Sequence, residues 1–181
     1  MNNASYKAAL GGIVCSICLT LVFLAGVIPV LSLTLPLFAG LLLVVVCSEI
    51  GLKWAFLTYV SIGLLSLMLS YDKGSALFFI MLFGHYPILK QLIERIRRKP
   101  AAALMKLLVY NLCVVAIALT TVFVLGAKEL FDEIAEYGKY AAVVVLALTN
   151  PVFLMYDYVI TGFALLYAQR IKPKLMSAGD K

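Results

Sequence analysis

The chain has 181 residues, 64% of them hydrophobic and only 13% charged, with a net charge of +6 and a mean hydropathy of +1.06. A water-soluble domain is nearer half apolar and a quarter charged, so the composition excludes one and predicts an all-α integral membrane protein. The basic excess reads as an orientation signal, because Lys and Arg collect at span ends on the cytoplasmic side, and no nucleic-acid partner is expected.

Six spans are predicted in a single transmembrane domain over residues 1–181. After a short polar start, Ala8 to Val30 carries no charge and is long enough to cross a bilayer. It exceeds the apolar region of a cleaved leader, so it is expected to remain as a span. Ala8, Gly12 and Ser16 recur every four residues along it. Such small side chains let another helix approach closely, whether from the same chain or from a partner. Pro29 ends or kinks this helix. Leu31 to Pro36 is a link at the far surface, and Leu37 to Ile50 returns, followed by a turn at Gly51, Leu52 and Lys53. Glu49 and Lys53, four apart, are placed to pair across that boundary.

Trp54 to Tyr71 is the third predicted span, with an aromatic residue at each end. Asp72, Lys73 and Gly74 turn the chain, and Ser75 to Leu89 makes the fourth span, with Pro87 expected to bend it. The helix is then predicted to continue amphipathically along the cytoplasmic interface, with Ile88, Leu92, Ile93 and Ile96 on one side and Lys90, Gln91, Glu94 and Arg95 on the other. The stretch Lys90 to Pro100 holds five basic residues against Glu94 alone, so it is taken as a cytoplasmic loop. Ala101 to Gly126 is the fifth span. Lys128 to Lys139 reads as a short acidic amphipathic helix on the outer surface, and Tyr140 to Tyr167 is the sixth span, broken by Asn150 and Pro151. The basic tail from Gln169 is again cytoplasmic, which puts the N and C termini on the cytoplasmic side.

Cys15, Cys18, Cys47 and Cys113 all lie within apolar segments without a histidine at metal-ligand spacing. They read as reduced packing residues, and no metal or cofactor is expected. Ionisable groups inside a span are costly, so each is a functional candidate. Glu49, His85, Asn111 and Asp157 are placed in the inner half of the membrane, with Lys90 and Lys106 close to that level. They form either a polar network tying helix ends together or a proton or ion relay through His85 and Asp157.

Asn150-Pro151 also carries two readings. A proline within a helix frees a carbonyl, and such breaks are tolerated where protein or a cavity surrounds them. One reading is an outward-facing substrate pocket formed by Thr34, Ser66, Ser70, Tyr71, Asp72 and Asn150, with Lys73, Thr120 and Thr121 at similar depth. The other is a packing kink satisfied by neighbouring threonine hydroxyls. No G-x-S-x-G, Walker or H-E-x-x-H motif is present. An enzyme is therefore not expected, and ATP-driven activity would require a partner.

The short, basic, six-span pattern with both termini inside resembles a substrate-binding S component of energy-coupling factor (ECF) transporters, over nearly the whole chain. Ala8-x-x-x-Gly12-x-x-x-Ser16 resembles that family's A-x-x-x-A motif, with Gly and Ser replacing Ala. The proline-bearing link Pro29 to Pro36 is similar to the family's first outer loop. The resemblance implies a bacterial cytoplasmic membrane protein that captures a vitamin or other micronutrient on the outer side. It also implies docking of a coupling transmembrane subunit through Ala8, Gly12 and Ser16, transport driven by two ATPase subunits, and toppling of the solute-binding subunit in the membrane. Two other classes compete: a non-transporting scaffold of envelope or cell-shape assembly, similar in size and span count to MreD-type proteins, and a solitary ion-coupled carrier.

Overall fold

The computed structural model describes residues 4–96, 98–123, 126 and 140–172. Arg97, the expected acidic helix over 128–139 and the tail beyond Lys172 lie outside them. Six helices carry the described residues: α1 (Ala4–Val27), α2 (Thr34–Glu49), α3 (Leu52–Leu69), α4 (Lys73–Ile93), α5 (Lys99–Phe123) and α6 (Ala141–Leu166). No strand occurs among them. Five helical stretches, one in every helix but α2, are long and apolar enough to cross a membrane, marking a multi-pass membrane protein.

The exception is instructive. The 16 residues of α2 cover about 24 Å at 1.5 Å per residue, less than the roughly 30 Å of a hydrocarbon core. This helix sits at the centre of the bundle, packed against α1, α3, α4 and α6. Ala39, Gly40, Leu43 and Val46 are buried along it, so protein rather than lipid surrounds much of its length. It starts at Thr34, earlier than the expected Leu37, because Pro36 falls in its first turn, where no amide is needed. Gly51 makes the following turn with φ of +90°, a conformation open to glycine at little cost.

Two apolar clusters hold the bundle. In the first, Val22 of α1, Leu43 of α2, Ile62 of α3 and Phe79 of α4 interlock. In the second, Leu41 and Val44 of α2 meet Tyr86 of α4 and Phe153, Tyr156 and Ile160 of α6. Only Ala102 is buried along α5. Leu104, Leu108 and Leu112, four residues apart on α5, face outward, as a lipid-facing stripe would.

The fourth helix departs most from expectation. Instead of simply bending at Pro87, α4 is α-helical to Phe78, opens into a π-helix over Phe79–Gly84 and resumes from Tyr86 to Ile93. The wider turn precedes the proline, whose missing amide cannot serve the Phe83 carbonyl. The helix also ends at Ile93, so the expected amphipathic continuation to Ile96 is a turn instead. Lys90 is not at an interface but 4% exposed, within the bundle.

Candidate functional site

Along α4, Tyr86, Lys90 and Glu94 recur every four residues and so share a face. On α6, Phe153, Asp157 and Thr161 do the same. The bundle brings these two faces together with Lys106 of α5. The Lys90 ammonium donates to the Asp157 carboxylate (2.5 Å), to the Asp157 main-chain carbonyl (2.7 Å) and to the Thr161 hydroxyl (2.6 Å). All three of its protons are thereby used. Tyr86 donates its hydroxyl proton to the same carboxylate at 2.5 Å. Lys106 reaches Glu94 at 2.9 Å and Asp157 at 3.3 Å, and Lys90 lies 3.7 Å from Glu94.

Two cations and two anions therefore alternate in a self-neutral cluster. That arrangement offsets part of the cost of withdrawing Lys90, Lys106 and Asp157 from water, while Glu94 stays about half exposed. A cleft of about 350 Å³, lined by Glu94, Lys99, Ala102, Lys106 and Asp157 among others, opens beside the cluster.

The four residues expected in one polar network go to four places. Asp157 belongs to the cluster just described. Glu49 does not pair with Lys53; it accepts from the Tyr167 hydroxyl at 3.1 Å and lies 3.2 Å from Lys172, which ties the end of α2 to the end of α6. His85 bonds through Nδ1 to the Ile80 carbonyl at 3.2 Å. A carbonyl only accepts, so Nδ1 carries the proton and Nε2 accepts from the Cys113 thiol at 3.5 Å. His85 and Asp157 share no direct hydrogen bond or ion pair. Asn111 pairs reciprocally with Asn150, at 2.9 and 3.3 Å. These amides therefore lie at one depth, not in opposite halves of the membrane as their separate positions in α5 and α6 suggested.

The six expected pocket residues do not line one cavity. Ser66 and Ser70 line a shallow groove between α1 and α3, and each donates to a nearby carbonyl, of Gly63 and Asp72 respectively. Asp72 caps α4: its carboxylate accepts from the Gly74 and Ser75 amides, both at 2.9 Å, and from the Ser75 hydroxyl at 2.7 Å. Burial alone would raise the Asp72 carboxyl, but the Ser75 hydroxyl and the two amides outweigh it and hold the group below its ordinary value. Lys73 closes the other side of the turn by donating to the Leu67 and Ser70 carbonyls at the end of α3. Tyr71 is 85% exposed. Asn150 is engaged with Asn111.

Only Thr34 reaches the principal cavity, a space of about 490 Å³ between the start of α2 and the middles of α4, α5 and α6. Phe78 and Phe83 of α4, Tyr110 of α5, and Phe153 and Tyr156 of α6 supply aromatic walls, and Thr149 adds a second hydroxyl. Tyr110 stacks on Phe153 with centroids 4.3 Å apart, and Tyr86 meets the same ring edge-on at 5.0 Å. Phe153 also lines the cleft with Lys106 and Asp157, so the aromatic layer divides the apolar cavity from the charged cluster.

The cavity residues other than Thr34 were missed as site residues because each looks ordinary alone, and Lys90 and Lys106 were placed beside the expected polar network without being paired to Asp157. The available signal was the four-residue spacing of Tyr86, Lys90 and Glu94, matched by that of Phe153, Asp157 and Thr161.

Ala8, Gly12 and Ser16 are exposed on α1. A Cβ added at Gly12 would meet nothing within 4 Å, whereas neighbouring Gly11 packs against Thr58 of α3. The first two line a groove of about 260 Å³ with Trp54 and Ser61 of α3. Compared with models of known families, curated proteins and solved structures, the chain matches none.

Proposed function

We propose that the chain is the membrane-embedded solute-binding subunit of an ECF-type importer. It captures a vitamin or other micronutrient on the outer side of a bacterial cytoplasmic membrane, with six spans and both termini cytoplasmic. The observation that carries this reading is the 490 Å³ cavity walled by rings from three helices, a size and lining typical of small-molecule sites. It lies on the opposite side of the aromatic layer from the charged cluster. With the basic stretch around Arg95 and Arg98 held in the cytoplasm, its Leu33 and Thr34 side faces outward. The exposed Ala8, Gly12 and Ser16 then offer a face for a coupling transmembrane subunit, and two ATPase subunits supply the energy.

Small molecules released from gently purified wild-type protein and from Gly12→Leu test this reading. The substitution projects into open space, so the cavity survives in the variant. One metabolite enriched in both samples, with uptake lost only in the variant, is the expected result. No retained metabolite in either folded sample would sink the proposal in favour of a non-transporting scaffold. A solitary ion-coupled carrier is the second reading, favoured by the buried Lys90–Asp157 pair. On that reading, Asp157→Asn abolishes uptake while Gly12→Leu leaves it intact.

A further inference from the structure

Almost no polar surface faces the principal cavity. The Thr34 and Thr149 hydroxyls donate back to the nearby Leu31 and Leu146 carbonyls, and the Tyr110 hydroxyl donates to the Thr149 carbonyl. The Tyr156 hydroxyl is packed between Gly40 and the Phe83 carbonyl. Ring and aliphatic carbon lines the space, and no charged side chain reaches it among the described residues.

A buried water needs several polar partners, so water does not fill such a space, and an empty one leaves its lining atoms without contacts on one side. Hydrocarbon meets both conditions. The volume of about 490 Å³ is about three times the roughly 150 Å³ of a dry apolar cavity that takes one benzene, which gives room for on the order of 18 carbons.

The cavity is also continuous with the lipid-facing exterior. It lies inside a ring of four helices, with α2 against α4 and α6, and α5 against α4 and α6. Lys106 to Asp157, the Tyr110–Phe153 stack and the Asn111–Asn150 amides tie α5 to α6. All three ties lie level with Asn111 or on its cytoplasmic side. Outward of them, Val144, Leu148 and Val152 recur every four residues on α6, all exposed, and Val152 also lines the cavity. One apolar strip therefore leads from the bilayer into the space.

We infer, resting on the solute-binding reading just given, that the solute is lipid-soluble. A single hydrocarbon chain or compact ring system drawn from the outer leaflet occupies the cavity, and its polar end stays outside. A polar or charged solute would give up its hydration with nothing inside to replace it. Lipid tails are as apolar as the wall, so preference over bulk lipid comes from fit against the rings of Phe78, Tyr110 and Phe153 rather than from leaving water. A phospholipid tail enters only with its second chain held outside, which favours a single-chain compound.

Bromine quenching of a single tryptophan tests this, with the full chain in dioleoylphosphatidylcholine nanodiscs. Trp54→Phe removes the one native tryptophan. Phe78→Trp then reports from the cavity wall, and Leu112→Trp from the exposed face of α5. Dibrominated octadecanol is the single-chain probe, and phosphatidylcholine with dibrominated stearoyl chains represents bulk lipid. The alcohol should half-quench the Phe78→Trp reporter at about tenfold lower membrane content than the Leu112→Trp reporter, a preference of about 1.4 kcal/mol. The brominated phospholipid should show no such preference. Adding Val114→Phe, which fills the cavity from α5, should remove the selective quenching and leave that of Leu112→Trp unchanged. Val152→Phe provides a second filler from α6.

Equal quenching of the two reporters by the alcohol, or none at Phe78→Trp, overturns the inference. So does brominated phospholipid that quenches Phe78→Trp as efficiently as the alcohol, which would mark a space filled by ordinary lipid. A water-soluble metabolite retained in the release experiment and lost on Val114→Phe would overturn this inference and leave the solute-binding reading standing. Selective quenching by the alcohol with no metabolite retained would sink the solute-binding reading while the hydrocarbon site stands.

Discussion

The α1–α3 half of the bundle and the α5–α6 half are held by different forces. In the first, Val22, Leu43 and Ile62 interlock with one another and with Phe79 of α4, and most side-chain hydrogen bonds stay within a helix, such as Ser16 to Gly12 and Ser61 to Leu57. In the second, α5 buries little, and the helices are joined by Lys106 to Glu94 and Asp157 and by the Asn111–Asn150 amide pair. Lipid tails are as apolar as leucine, so they supply no hydrophobic drive for helix association, and association relies on close packing or on polar bonds. The first half relies mainly on packing, and the second adds polar bonds between helices to the apolar cluster around Phe153 and Tyr156.

That contrast can be broken by substitution. The largest expected effect is from Lys90→Met, which leaves Asp157 with Lys106 as its remaining cation in a mostly buried site. It should cost about 3 kcal/mol, read from unfolding in mixed micelles. Lys90→Met combined with Asp157→Leu should recover most of the loss, because no unpaired charge remains. A single variant as stable as wild type would show that the cluster does not hold the second half together.

Next is Phe79→Ala, on α4 but packed into the first half, at about 2 kcal/mol. This is the packing and cavity part of a large-to-small change, with the water-transfer part absent because the separated helices stay in lipid. If it cost less than Lys90→Met combined with Asp157→Leu, the assignment of packing to the first half would fail.

Asp72→Ala removes the cap of α4 and should cost about 1 kcal/mol at neutral pH. The folded Asp72 carboxyl lies below its ordinary value because the Ser75 hydroxyl and the Gly74 and Ser75 amides outweigh its burial. Its contribution is therefore complete above about pH 4, the ordinary carboxylate range, and is lost as pH falls through the lowered folded value. The two proteins should converge in stability below that value, and a gap persisting there would mean the loss is not one of capping. The smallest effect is from Asn150→Leu, at about 0.6 kcal/mol, the average for an interhelical hydrogen bond in a membrane. Its double-mutant cycle with Asn111→Leu isolates the pair.

The six helices, their approximate ends and the turn at Gly51 were legible because they depend on local runs of apolar residues and on proline and glycine. Pro29 and Pro87 signalled irregularity correctly, but only the packed bundle chose a π-helix ahead of Pro87. The partners of Glu49, Asn111 and Asp157 were not legible in the same way. Each depends on how a helix is rotated about its axis, and hydropathy does not set that rotation when every face is apolar.

By itself, then, the sequence determined an all-helical chain with at least five stretches able to cross a membrane, a basic end at Lys90 to Pro100 and an apolar exterior. The tertiary structure decided which polar groups meet. It sank Lys90 into the bundle against Asp157, used Ser70, Asp72 and Lys73 in a turn, and opened the aromatic cavity where Tyr110, Phe153 and Tyr156 converge. The physical reason is that crossing a bilayer is a property of one segment, whereas a buried charge or hydroxyl must find its partner on another helix.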